Sequence, residues 1–106
     1  MVKIPESIQS IVIDYVNKIK RQIPIDRVIL FGSYAKGGYS IDSDIDIAIF
    51  SDYFMDMAGV DAFKFLFLQT LEYDIDMQPL AFTTEDYQRP IGIVGEIINT
   101  GIEISH

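Results

Sequence analysis

The chain has 106 residues, with sixteen Asp and Glu against eight Lys and Arg and a formal charge of −8; that balance excludes a groove for a long polynucleotide, whose phosphates need a basic surface. Cysteine is absent, which excludes disulfide frameworks and thiolate metal sites and makes a reducing cytoplasm the expected setting. Nearly half the residues are apolar, enough for a single domain over residues 1–106, yet polar residues interrupt them too often for a secretory leader or a membrane span.

Ile8, Ile11, Val12, Tyr15, Val16 and Ile19 recur at helical spacing and predict an amphipathic first helix. Pro5 and Glu6 suit its first turn, and Pro24 stops it after Lys20 and Arg21. Arg27 to Phe31 is a short β-prone run closed by Gly32, and residues 33–38 read as one helical turn or a tight loop. From Asp44 to Phe50 the chain alternates. Asp44, Asp46, Ala48 and Phe50 point one way and Ile45, Ile47 and Ile49 the other, which predicts a strand with a buried Ile face. Val60 to about Leu71 reads as a helix apolar nearly all round, more than a small domain covers, so part of it is expected to meet a partner. Tyr73 to Phe82 predicts a third strand, with Asp74, Asp76 and Gln78 on one face and Pro79 marking an edge or an end. Thr83 or Thr84 caps a short helix, Ile91 to Ile98 forms another that Gly101 ends, and residues 102–104 form a last short strand. The expected class is α/β or α+β, a small mixed sheet flanked by helices.

The stretch "GSYAKGGYSIDSDID", Gly32 to Asp46, carries the chemistry. Asp44 and Asp46 stand two apart on one strand face, their Cβ atoms roughly 6.6 Å apart, so their carboxylates can converge on hard cations and a bound phosphate. Gly32 lets backbone approach a phosphate, the N–H groups of the following turn face outward, and the Ser33 hydroxyl and Lys36 ammonium add a donor and a charge. Other readings are weaker. An EF-hand would need Gly where Ile47 stands and Glu where Tyr53 stands. A Walker A loop would need Lys and Ser or Thr after Gly37. Asp42 reads as a solvated turn residue, and Tyr34 and Tyr39 as loop packing rather than base-stacking platforms.

Gly32-Ser33, ten residues, then Asp44-x-Asp46, with Ala35, Lys36, Gly37 and Ser43 between, resembles the signature of the minimal nucleotidyltransferase (MNT) branch of the polymerase β-like superfamily. The family usually has Arg where Lys36 stands, and its third aspartate, on a later strand, resembles Asp76. The resemblance covers almost the whole chain. It implies that Asp44 and Asp46 hold two Mg²⁺ ions (Mn²⁺ as a substitute), that Asp76 completes the ion that activates the acceptor, and that Gly32 and Ser33 hold the β- and γ-phosphates of ATP. It also implies AMP transfer to a hydroxyl, and kinship with the antitoxin halves of HEPN/MNT toxin–antitoxin pairs, in which the acceptor is a tyrosine of the partner HEPN toxin and the two proteins form a hetero-oligomer. Two alternatives remain: an inactive nucleotide-binding module that neutralises a toxin by contact, and a small-molecule nucleotidyltransferase, which would usually carry an added helical domain.

Overall fold

Proline starts the first helix without disturbing it, because its missing N–H falls where no helical acceptor exists. In the structure, a computed structural model that describes residues 4–40 and 42–106, Pro5 sits at the N-cap of α1 (Glu6–Lys20) and its carbonyl accepts the Ile8 and Gln9 N–H groups. The predicted stripe is the buried face: Ile8, Val12, Tyr15, Val16 and Ile19, with Ile11 half-buried at its margin. The other elements follow as β1 (Arg27–Phe31), α2 (Ser33–Lys36), β2 (Ile45–Phe50), α3 (Gly59–Leu68), β3 (Met77–Phe82), α4 (Thr84–Gln88), α5 (Ile93–Thr100) and β4 (Ile102–Glu103).

The sheet runs β3-β2-β1-β4, with β1 antiparallel to both β2 and β4 and β2 parallel to β3. Parallel neighbours require a crossover, which α3 supplies. The predicted alternation of β2 divides the molecule into two cores. Ile45, Ile47 and Ile49 join Val28, Leu30 and Met77 beneath α1 and α3. Ala48 and Phe50, on the other face, pack with Ile29 against Val94 and Ile97 of α5, with Leu80, Phe82 and Tyr87 around them. A buried hydrogen bond from the Tyr15 hydroxyl to the Leu66 carbonyl, 2.7 Å long, ties α1 to α3. Thr83 and Asp86 form a reciprocal capping box that fixes the start of α4.

Several boundaries differ from the sequence reading, among them β2, which starts at Ile45 rather than Asp44. The third strand starts at Met77, not Tyr73. Its partner β2 starts at Ile45, which pairs with Met77, and Tyr73 is drawn aside by the bond from its hydroxyl to Asp14, 2.6 Å. Asp74 therefore lies in a bend, and Asp76 immediately precedes the strand. The apolar helix ends at Leu68 because the chain turns there, Thr70 bonding back to the Phe67 carbonyl through both its N–H and its hydroxyl. The last helix begins at Ile93, after Gly92 with φ +63°. The edge position inferred from Pro79 is where β3 lies.

Candidate active site

The site grows from the turn between β1 and α2. Antiparallel pairing sets Phe31, the last residue of β1, directly opposite Asp46 of β2. The next residue, Gly32, has φ 72° and ψ −147°, a backbone region open essentially to glycine alone. A Cβ placed there would lie 2.2 Å from the Asp46 Oδ2 atom, so the carboxylate fills the space a side chain would take. The Gly32 carbonyl accepts the Ala35 and Lys36 N–H groups, at 3.1 and 3.0 Å, and so closes the turn of α2. The Ser33 and Tyr34 N–H groups come before any helical acceptor. The sequence reading gave Gly32 one task, admitting a phosphate; the structure adds a second, clearing room for Asp46. No local motif signals that second task, because it depends on which β2 residue pairs with Phe31.

Asp46 is half-buried, and its carboxyl is pushed above the usual carboxylate range, first by burial and then by the neighbouring charge of Asp44. Asp44 is exposed just before β2. The N–H of Ile45 donates to the Asp76 carbonyl, 2.9 Å away, so Asp44 and Asp76 stand side by side at the mouths of two parallel strands, while Gln78 lies beside Asp46. Ser43 shapes the approach: its hydroxyl accepts the Ser40 N–H at 2.8 Å. A cleft of about 180 Å³ is lined by Asp42, Ser43, Asp44, Asp74, Ile75 and Asp76. Asp44 and Asp76 thus share the cleft, while Asp46 is not among its lining residues and packs on Gly32 instead. Among the described residues no three Asp, Glu, His or Cys side chains close on a common point as a ready ligand set.

Lys36 ends α2 and is exposed, its Nζ 3.5 Å from Glu96 of α5. With Gly32 and Phe31 it lines a second cavity of about 180 Å³, completed by Ile93, Glu96, Ile97 and Thr100. These α5 residues escaped the sequence reading, being some 60 positions from the turn they adjoin. Tyr34 and Tyr39 stack on one another, ring centroids 4.8 Å apart, in accord with the packing role read from the sequence. A backbone turn, a hydroxyl and clustered carboxylates on adjacent strands can hold the phosphates of a nucleotide through hard cations.

Comparison with known proteins agrees with this chemistry. Residues 12–100 match the model of the nucleotidyltransferase domain family. A Methanocaldococcus jannaschii protein named as a candidate protein adenylyltransferase, MJ0141, is 30% identical over 102 residues, covering 88% of this chain and 98% of that one. A second protein so named in the same organism, MJ0604, is 49% identical over 41 residues, 37% of this chain and 41% of its own length. Among solved structures, a candidate nucleotidyltransferase from Sulfolobus solfataricus superposes with a TM-score of 0.67 at 18% identity, over 90% of this chain and 77% of that one. A chain of a toxin–antitoxin assembly with AMP-PNP superposes with a TM-score of 0.62 at 23% identity, over 92% and 72%. The family match spans most of the chain and the match to MJ0141 runs nearly end to end: the chain belongs to the nucleotidyltransferase domain family.

Proposed function

We propose that this nucleotidyltransferase moves AMP from ATP to a hydroxyl on a partner protein, a tyrosine of a HEPN-type toxin, and thereby serves as the antitoxin. The observation that carries the reading is the packing of the Asp46 carboxylate on Gly32, which fixes an anion-ready turn and a metal-type carboxylate as neighbours. The name of MJ0141 and the toxin–antitoxin assembly with AMP-PNP support the choice of nucleotide and partner.

Divalent cations fit the site, because every polar side chain lining its cleft offers oxygen and most are carboxylates. Asp44 and Asp46 would hold two Mg²⁺ or Mn²⁺ ions and Asp76 would complete one of them; bound there, they neutralise phosphate charge and favour pyrophosphate as leaving group. Gly32 and Ser33 hold the β- and γ-phosphates on backbone N–H groups and a hydroxyl, and Lys36 adds positive charge at the end of the same turn. The acceptor oxygen bonds to the α-phosphorus, the bond to the bridging oxygen breaks, and the acceptor proton leaves toward the carboxylates. Catalysis is then mostly positioning and electrostatics.

The test is transfer of label from ATP marked at the α-phosphate to the partner toxin. Label on the toxin that a chelator abolishes, with none carried over from the γ-phosphate, is the expected result. A second reading, neutralisation by contact alone, draws on the exposed apolar face of α3, where Val60, Phe63 and Leu68 meet solvent. If the paired changes Asp44→Asn and Asp46→Asn leave neutralisation intact, that reading replaces the first.

A further inference from the structure

The crossover from α3 to β3, residues 69–76, runs through turns and a bend rather than a helix or a strand. It ends on Asp76, whose carbonyl takes the Ile45 N–H at the open end of the β2–β3 ladder. A backbone bond at the end of a ladder is a weak restraint, because ends fray. Asp44 alongside adds a like charge on the neighbouring strand, which weakens that end further. A metal ligand must be held within about 0.5 Å, so the segment needs a second anchor.

The anchor stands on α1. Asp14, Lys18 and Gln22 follow one another at steps of four and form one polar ridge. Each holds a different part of the crossover. Asp14 accepts the Tyr73 hydroxyl at 2.6 Å. Lys18 donates to the Gln69 carbonyl and to Glu72, both at 2.6 Å, and its ammonium lies 5.0 Å from the centre of the Tyr73 ring. Gln22 bonds the side-chain oxygen of Gln69. The Lys18 side chain is only 19% exposed, so its charge is screened less than that of a surface pair. The Tyr73 ring also meets Tyr15 edge-on, centroids 6.1 Å apart. The apolar stripe of α1 already seats that helix in the core; what the ridge adds is a hold on the stretch of chain that leads to Asp76. We propose that Asp14, Lys18 and Tyr73 are positioning residues for Asp76. The ridge pins the crossover at its start and the Ile45 N–H pins it at its end, so that the Asp76 carboxylate stays at the cleft. This rests on the transfer reading above, in which Asp76 completes a metal site, and adds which remote residues keep it in place.

Hydrogen exchange in the metal-free chain reads the restraint directly. Asp14→Ala and Tyr73→Phe remove the same bond from its two sides. Each should speed exchange of the Ile45 amide about fivefold, the factor that one hydrogen bond carries, while the amides of β1 exchange as in the wild type. Asp14→Asn keeps an acceptor for the hydroxyl and should stay near wild type. Glu103→Ala breaks another exposed pair, Arg27 with Glu103 at 2.9 Å, and should leave the Ile45 amide unchanged. Label transfer from α-marked ATP then tests the consequence. Asp14→Ala should slow it about fivefold in the wild-type background and less than about twofold in an Asp76→Asn background, because a residue that works through Asp76 loses its effect with it. Unchanged exchange at Ile45 in both ridge variants, or equal slowing in the two backgrounds, would overturn the proposal. An Asp76→Asn protein that transfers like the wild type rejects instead the role of Asp76 on which the proposal rests.

Discussion

Replacing Gly32 by Ala attacks the contact on which the site is built. The new Cβ would begin 2.2 Å from the Asp46 Oδ2 atom, where real Cβ contacts essentially never fall below 3.0 Å. The carboxylate must retreat by close to an ångström, or the turn must open. The backbone itself resists, because φ 72° with ψ −147° costs a residue other than glycine about 1–3 kcal/mol. At about 4–8 °C per kcal/mol for a domain near this size, the melting temperature should fall by about 5–20 °C. A metal ligand must be held within about 0.5 Å, and a misplacement near 1 Å costs about 100-fold in rate. Label transfer from α-marked ATP should therefore drop by about two orders of magnitude even at temperatures where the variant is folded. Gly38→Ala is the control, since a Cβ there meets nothing within 4 Å and should change stability by less than about 1 kcal/mol. A Gly32→Ala protein that melts and transfers like the Gly38→Ala control would refute the claim that this contact positions the carboxylate.

Asp76→Asn should lower transfer by about 100-fold or more, as removal of a transition-state charge partner does. Asp74→Asn should keep most of it, because only Asp76 has its backbone fixed beside Asp44 through the Ile45 N–H; parallel rate measurements decide, and the reverse order moves the role to Asp74. Asp46→Asn, without metal or nucleotide, should melt above wild type at neutral pH. Burial and Asp44 raise the folded carboxyl's pKa, so the fold is penalised where the group is ionised and relieved as it protonates; the gap should close as pH falls toward about 4. Melting curves across that range check it, and a gap that widens on acidification would contradict the sign. Tyr15→Phe leaves the Leu66 carbonyl without its buried donor and should cost about 1–3 kcal/mol in denaturant titration while transfer stays near wild type.

The elements with a strong period were legible. The α1 stripe and the in–out alternation of β2 are both dictated by one-sided burial, and the structure buries the same side chains. A cap at Thr83 or Thr84 and an edge or an end at Pro79 follow from local hydrogen-bonding capacity; the structure has the cap at Thr83 and β3 at the edge. The start of β3 was not legible. Residues 73–76 have a strand's alternation, but a strand ends where its partner ends, and Ile45 opens the ladder only at Met77. Of the site, the Gly-Ser turn and the aspartates were visible as a spaced pattern. What joins them, the pairing of Phe31 with Asp46 and the cavity wall supplied by α5, depends on contacts between distant segments that no local window contains.

Pro79 occupies the middle of an outer strand, and the opposite outer strand, β4, has only two residues. A strand that adds to a sheet needs a run of free N–H and C=O groups, and proline removes one donor from any such run while a two-residue strand offers too few. Both flanks of the sheet are thus poor templates for a further β-strand. Copies of this chain crowded together during synthesis should resist edge-to-edge pairing and the fibrils that grow from it. A protein that binds this chain finds better purchase on side chains of the helical faces than on the backbone of the sheet's edges.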